Sequence, residues 1–329
     1  MIKRAKDLVD KAVVQLSRYQ SGEEAVARTS IEHFNIMNMG GIMKGNIIVI
    51  GARPGVGKSY LSQTIEKDFL DIELNPNAHN YALLKCNWEM SVMKLLTRRI
   101  AKGLDKTYRE VFTNKPTEEE LIEYKKICDE ERDPRNYYID LPQTPQEMEA
   151  DLDDFLDKHE DRELVLVTID HIGLVKDGGK GKKGAIDMLI EACNRLRNKY
   201  QNVAFIILSQ LNREIESRTE VKNNSPVLGD LMNSDSVGQI ADTVLILNNP
   251  SNLHIDRYMM VPGVKRDQTG RVIESKYSHL EEFMFSPNNK MTNFFTNLDG
   301  RPLLFYHYVK IRDGADESTY FRDLFIKKL

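Results

Sequence analysis

The chain has 329 residues, 41% hydrophobic and 29% charged, with a formal net charge of −4. That length buries an ample core without a metal or disulfide staple, and the weakly acidic balance excludes a histone-like basic coat while leaving room for a locally basic channel. No signal peptide or membrane-length apolar run is read, and Cys86, Cys128 and Cys193 lie far apart without CxxC or Cys/His spacing, so reduced structural thiols in a cytoplasmic protein are expected.

Residues 2–20 place Ala5, Leu8, Val9, Ala12, Val13 and Leu16 at helical spacing on an otherwise charged helix. Ser21-Gly22 ends it, and a flexible stretch from Ser21 to Thr29 separates it from the core of the chain. The apolar stripe packs either on its own domain or on a neighbouring subunit.

The stretch GNIIVIGARPGVGKSYL (45–61) reads as a buried strand from Asn46 to Ile50, a glycine-rich turn and a helix opening at Gly57-Lys58-Ser59. Ile47, Ile48, Val49 and Ile50 suit a parallel strand covered on both faces. The turn ARPGVGKS follows the phosphate-loop pattern, with Ala52 where the strict motif has glycine. Residues Ala52, Arg53, Pro54, Gly55, Val56, Gly57, Lys58, Ser59 and Tyr60 are therefore the expected nucleotide cradle. Such a loop aims backbone N–H groups and a helix N-terminus at one point. Lys58 would reach the outer phosphates, and Ser59 would hold Mg²⁺.

Residues 81–87 (YALLKCN) predict a second buried strand, followed by Trp88-Glu89-Met90-Ser91 and a helix carrying Lys94, Arg98 and Arg99. Residues 104–160 are mostly helical in pattern, broken by Pro116, Pro134, Pro142 and Pro145, with a short strand at 137–140. The acidic run 147–161 reads as a solvated helix face. ELVLVTID (163–170) is a third buried strand with an acidic end. A lysine-glycine loop (176–184) and a helix to about Tyr200 come next. Strand 203–209 ends in Ser209-Gln210, a polar loop spans 212–228, a short helix lies near 229–240, and 241–247 is a fifth strand. Strands alternating with helices imply a parallel α/β sheet, whose ligands bind at the carboxyl ends of strands. Gly51, Glu89, Asp170 and Gln210 all fall there.

Asp170 is placed to hold Mg²⁺ opposite Ser59. Glu89 could deprotonate an attacking water or complement a helix dipole. Gln210 could bond the γ-phosphate. His171, a lone histidine without ligand spacing, is read as a packing residue.

The ordered motifs GARPGVGKS, NWEMS, VLVTIDHIGLV, ILSQLNREIESR and GDLMNSDSVGQIADTVLIL, over about residues 28–250, resemble those of DnaB-family replicative helicases. The resemblance implies a RecA-like ATPase fold, hexameric rings around single-stranded DNA, and ATP with Mg²⁺. It implies Lys58 and Ser59 on nucleotide and metal, Glu89 as the catalytic glutamate, Asp170 as the metal-holding acid and Gln210 as sensor. The family completes each site with a Lys-x-Arg-x-Gly hairpin from the next subunit. Lys310-Ile311-Arg312-Asp313-Gly314 fits that pattern better than Lys265-Arg266, so Lys310 and Arg312 are the expected trans pair. Two loops are expected at the pore: Lys176, Lys180, Lys182 and Lys183 on the first, Arg213, Arg218 and Lys222 on the second. Lysines among glycines suit sequence-independent backbone contacts.

On this resemblance, residues 1–28 are a linker helix and connector that clasps the adjacent subunit. Residues 29–329 are the ATPase domain, with about 250–302 inserted before the last hairpin. The relatives' collar domain is not expected before residue 1, which suits a phage or other mobile genome and leaves primase or loader contacts open. Two rivals remain: a RecA-superfamily recombination mediator that does not unwind, and a nucleotide-binding regulator of a helicase.

Overall fold

A computed structural model describes residues 4–218, 225–232, 234–249, 258–260, 281–283, 303–312 and 318–323. The first helix, α1, spans Ala5–Ser21. Short β1 (Val26–Ala27) pairs with β2 (Ile42–Met43) around α2 (Glu32–Met37). Then come β3 (Ile47–Ala52), α3 (Lys58–Leu70), β4 (Tyr81–Asn87) and α4 (Val92–Gly103). A helical lobe continues with α5 (Tyr108–Thr113) and α6 (Glu118–Glu131), then β5 (Asn136–Ile139) and α7 (Pro145–Lys158). Next are β6 (Leu164–Asp170), α8 (Gly181–Lys199) and β7 (Val203–Gln210). The rest comprises α9 (Ser234–Ile240), β8 (Thr243–Asn248), β9 (Tyr258–Met260), β10 (Glu281–Phe283), β11 (Leu303–Ile311) and β12 (Ser318–Asp323).

Eight strands form one sheet in the order β12-β11-β8-β3-β7-β6-β4-β5. The six strands from β8 to β5 are parallel; β11 runs antiparallel to β8, and β12 to β11. The all-apolar strands are explained by two cores, because alternate residues point to opposite faces. On β3, Ile47 and Val49 enter one core with Val165, Val167, Phe205 and Ile207, under α7 and α8. Ile48 and Ile50 enter the other with Leu166, Ile206 and Leu208, under α2 and α3. Covering a strand on both faces leaves no polar side to show in its sequence.

In the 104–160 region Pro145 starts a helix rather than breaking one. Pro145 occupies the first turn of α7, and Thr144 with Glu147 closes a reciprocal capping box. Thr107 with Glu110 and Thr117 with Glu120 do the same for α5 and α6. The acidic α7 is solvated on one side only: Met148, Leu152 and Leu156 are buried against the sheet.

Helix α1 exposes Val9, Val13, Val14 and Leu16, each more than half accessible. Of the predicted insertion at 250–302, the described residues show only the antiparallel pair β9 and β10, Tyr258 opposite Phe283; the remainder lies outside the described residues. Among the described residues no helix is long and apolar enough to cross a membrane.

Candidate nucleotide site

The carboxyl ends of β3, β4, β6 and β7 converge. β3 turns into 53–57, where Gly55 and Gly57 adopt φ of 79° and 107°, and α3 begins at Lys58. Positive φ disfavours any side chain there, and an added Cβ would meet nothing within 4 Å. The concave backbone thus stays open before the N-terminus of α3, the geometry that receives phosphate.

Lys58 is buried, and desolvation lowers its ammonium pKa while Asp170 and Glu89 pull it up. The cation therefore depends on those two carboxylates and on whatever anion enters the loop. Ser59 Oγ donates to Asp170 Oδ2 at 2.7 Å. Asp170 is buried, its pKa raised first by desolvation and opposed by Lys58 and Ser59. Its Oδ1 has no hydrogen-bond partner. A buried, unpaired carboxylate oxygen beside a serine hydroxyl is a costly arrangement without a cation. The donor set of hydroxyl and carboxylate oxygens fits Mg²⁺, which takes oxygen ligands. Glu89, two residues past the end of β4, is exposed, so its carboxylate is accessible to water.

Gln210 closes β7, and its amide lies 3.3 Å from His171 Nε2. His171 Nδ1 accepts from Gly173 N–H at 3.1 Å, so in the neutral ring Nε2 carries the proton. That proton is satisfied when the Gln210 amide turns its oxygen toward the ring. Burial first, then Lys58 and Lys182, push the His171 pKa down to about 4, which keeps the ring neutral near pH 7. His171 is thus more than packing: it holds the Gln210 tip. The one signal in the sequence was its place directly after Asp170.

The remaining cradle residues divide. Ala52 is buried at the end of β3 and paired with Gln210 rather than lying in the turn. The Arg53 side chain is taken up by Glu216 and the Leu211 carbonyl, at 2.7 and 2.9 Å. Pro54, Gly55, Val56 and Gly57 complete the turn after Arg53, and Tyr60 faces outward with Lys102 Nζ 3.4 Å from its ring centroid.

Lys310 and Arg312 sit elsewhere. β11 runs antiparallel to β8, and Ile311 faces Thr243. Arg312 therefore lies beside Asp242 and Ile47, at the amino end of β3. The five steps of strand from Ile47 to Ala52 span about 16 Å, so this chain's own loop is out of the guanidinium's reach. Arg312 Nη1 bonds Asp242 Oδ1 at 2.9 Å and Nη2 bonds the Gln239 carbonyl at 2.6 Å. Lys310 Nζ donates to the carbonyls of Gly238 and Ala241.

Both basic loops leave the neighbouring strands β6 and β7. The first is shorter than its composition suggests. Helix α8 already starts at Gly181, which puts Lys182 and Lys183 in its first turn. Lys182 Nζ bonds the Val175 carbonyl at 2.6 Å, so only 176–180, with Lys176 and Lys180, is loop. The second begins with a 3₁₀ turn, Arg213–Ser217, anchored by buried Ile215. Arg213 is exposed there, Arg218 is paired with Asp230, and Lys222 lies outside the described residues.

The family model of the DnaB-like helicase C terminal domain matches residues 27–284. The chain belongs to that family. A probable plasmid replicative DNA helicase from Chlamydia muridarum is 26% identical over 209 residues, 63% of this chain and 44% of that one. The replicative DNA helicase DnaB of Geobacillus stearothermophilus is 24% identical over 237 residues, 71% of this chain and 49% of that one. The chain thus spans about half the length of these DnaB relatives. Among solved structures, the ATPase domain of G40P superposes with a TM-score of 0.67 at 16% identity, covering 97% of this chain and 96% of that one. A DnaB-like replicative helicase, described with its interactions with primase, gives 0.65 at 18%, covering 95% and 63%. The fold is the RecA-like α/β ATPase fold of this DnaB-like chain.

Proposed function

We propose that this chain is an Mg²⁺-ATP-driven, ring-forming replicative DNA helicase motor, a homo-hexamer in the cytoplasm that moves along single-stranded DNA and parts the duplex. The observation that carries the reading is the placement of its proposed site residues at two ends of the sheet. Lys58, Ser59, Asp170, Glu89 and Gln210 gather at the carboxyl end, and Arg312 stands at the amino end, about 16 Å away along β3. A ring that stacks one end against the other brings them together.

In that arrangement Lys58 and the turn hold the β- and γ-phosphates, and Ser59 with Asp170 holds the metal. Held by these two oxygens, Mg²⁺ would supply positive charge opposite the phosphate oxygens. Glu89 orients water and takes its proton. Gln210, steadied by His171, reads the γ-phosphate. Arg312 and Lys310 from the neighbour stabilise charge in the transition state, a contribution of about 10³-fold or more for an arginine of this kind. Lys176, Lys180, Arg213 and Arg218 would meet the DNA backbone, with Lys182, Lys183 and Lys222 adding charge nearby. Residues 1–28 serve as the linker to the next subunit, 29–329 as the motor. A primase or a loader is a further partner of this reading.

Forked-duplex unwinding tests it. ATP-dependent strand separation that needs a single-stranded tail supports the helicase. DNA-stimulated hydrolysis without separation would favour a recombination mediator of the same superfamily, and no turnover would favour a regulatory nucleotide binder.

A further inference from the structure

The second basic loop is tied to the phosphate loop and to the strand that feeds it by two contacts. The first is steric. A Cβ placed on Gly51 would overlap Leu231 Cδ2 and lie 3.2 Å from Leu211 Cδ2. Leu211 and Leu231 face each other in an antiparallel bridge, and Asn212 N–H bonds the Asp230 carbonyl at 2.8 Å. These residues are the neck of the loop, and the neck rests on the last glycine before the cradle.

The second contact is polar. Arg53, the first residue of the turn, donates Nε–H to Glu216 Oε1 at 2.7 Å and Nη1–H to the Leu211 carbonyl at 2.9 Å. Glu216 belongs to the 3₁₀ turn Arg213–Ser217, which begins with exposed Arg213 and leads to Arg218. Arg218 in turn pairs with Asp230, whose carboxylate also accepts Val227 N–H at 2.7 Å. Arg53 is followed by Pro54, whose fixed φ and missing N–H stiffen the turn. The guanidinium is thus carried on the stiffer, proline-led side of the turn, next to the strand.

We propose that the Arg53–Glu216 pair is the contact through which nucleotide in the turn and single-stranded DNA on the Arg213–Arg218 segment alter each other's binding. Glu216 is a positioning residue: it sets where the 3₁₀ turn, with its arginines, stands relative to the cradle. The proposal rests on the helicase-motor reading and adds its line of communication. Binding free energies are reciprocal, so DNA tightens nucleotide by the same factor that nucleotide tightens DNA.

The test uses the full chain and a fluorescent oligothymidylate, titrated with Mg²⁺ and either a non-hydrolysable ATP analogue or ADP. The readout is the ratio of the two DNA affinities, with hydrolysis measured with and without DNA. In Glu216→Ala, DNA-free hydrolysis stays within about twofold of the parent, while the affinity ratio falls roughly fivefold or more and DNA stimulation falls with it. Glu216→Gln gives a smaller loss, and Glu214→Ala, in the same turn, gives none. In an Arg53→Ala background, Glu216→Ala has no additional effect, as expected for residues acting as one unit. An unchanged ratio in Glu216→Ala, or fully additive losses in the double variant, overturns the proposal and leaves the helicase reading standing. A parent chain that neither binds the oligonucleotide nor accelerates hydrolysis with it overturns both.

Discussion

Arg312 Nη1 stands 2.9 Å from Asp242 Oδ1, and Asp242 Oδ2 also accepts the backbone N–H of Ile47 at 2.8 Å. The carboxylate therefore ties the arginine to the first residue of the strand whose other end forms the phosphate turn. Arg197 Nη1 bonds the same Oδ2, so Asp242 serves two guanidinium groups. Within one chain the arginine and the cradle are held at opposite ends of β3.

Removing the lysine of the cradle separates binding geometry from fold. Lys58→Ala should lower ATP turnover by about a hundredfold or more, the scale of losing one charge stabiliser of the transition state. The thermal midpoint without nucleotide should change little, because the desolvated ammonium is itself costly. Steady-state hydrolysis and a melting curve check both.

Asp170→Asn trades metal affinity for comfort in the fold. The buried carboxylate has an unpaired Oδ1, and desolvation raises its pKa. The amide keeps the hydrogen bond from Ser59 Oγ and removes the buried charge. The nucleotide-free melting temperature should hold or rise, while the stabilisation produced by Mg²⁺-ATP disappears. A variant that keeps the full Mg²⁺-ATP shift contradicts the metal assignment.

Gly51→Ala should destabilise the chain by about 1–3 kcal/mol, the usual cost of overpacking, because the new methyl would overlap Leu231 Cδ2. Leu231→Ala in the same chain should recover part of that loss by vacating the space. Denaturant midpoints of the two single variants and the double variant measure it; strictly additive losses would count against the contact.

The histidines carry a pH signature. Burial pushes His307 down to about 3 and, with Lys58 and Lys182, His171 to about 4, both below the ordinary 6.5. Each ring is neutral in the fold, while its unfolded counterpart takes up a proton below pH 6.5. Stability from these groups is therefore complete above that value and lost as pH falls toward 4. At pH 5 the loss is about 2 kcal/mol for each ring. Imidazole resonances of both residues that stay unchanged from pH 8 to pH 5 are the expected result; titration near 6.5 is the contrary one.

Replacing Val9 and Val13 by serine should weaken assembly and leave the unfolding free energy within about 0.5 kcal/mol, as for surface positions generally. Both side chains are more than half exposed on α1. Sedimentation of parent and variant with ATP and DNA would show the shift toward smaller species; an unchanged assembly would mean the stripe is not a subunit contact.

How far the sequence reaches differs by feature. The β-branched run of β3 and the acidic end of β6 show in one dimension, because a doubly covered strand must be apolar while its tip tolerates a charge. The spacing of Lys310 and Arg312 shows too, but not what they touch: Gly238, Gln239 and Ala241 are some seventy positions away. Arg53 with Glu216, and Gln210 with His171, meet only because β3, β7 and β6 are sheet neighbours, an order that periodicity does not contain. The lysine-glycine segment misled for a local reason. Its composition reads as one loop to residue 184, yet Gly181 starts α8 with φ of 72°, and Lys182 folds back onto Val175.

The central claim is that a complete site needs two chains, and subunit mixing tests it most directly. Lys58→Ala lacks the cradle but supplies Arg312; Arg312→Ala supplies the cradle but lacks the finger. Each alone should hydrolyse almost no ATP in the presence of single-stranded DNA. Mixed in equal amounts and allowed to assemble, they should recover a measurable fraction of the parent rate, since some interfaces then join an intact Lys58 to an intact Arg312. Intact mixed assemblies with no recovered hydrolysis, or an Arg312→Ala chain that turns over ATP at the parent rate, would contradict it.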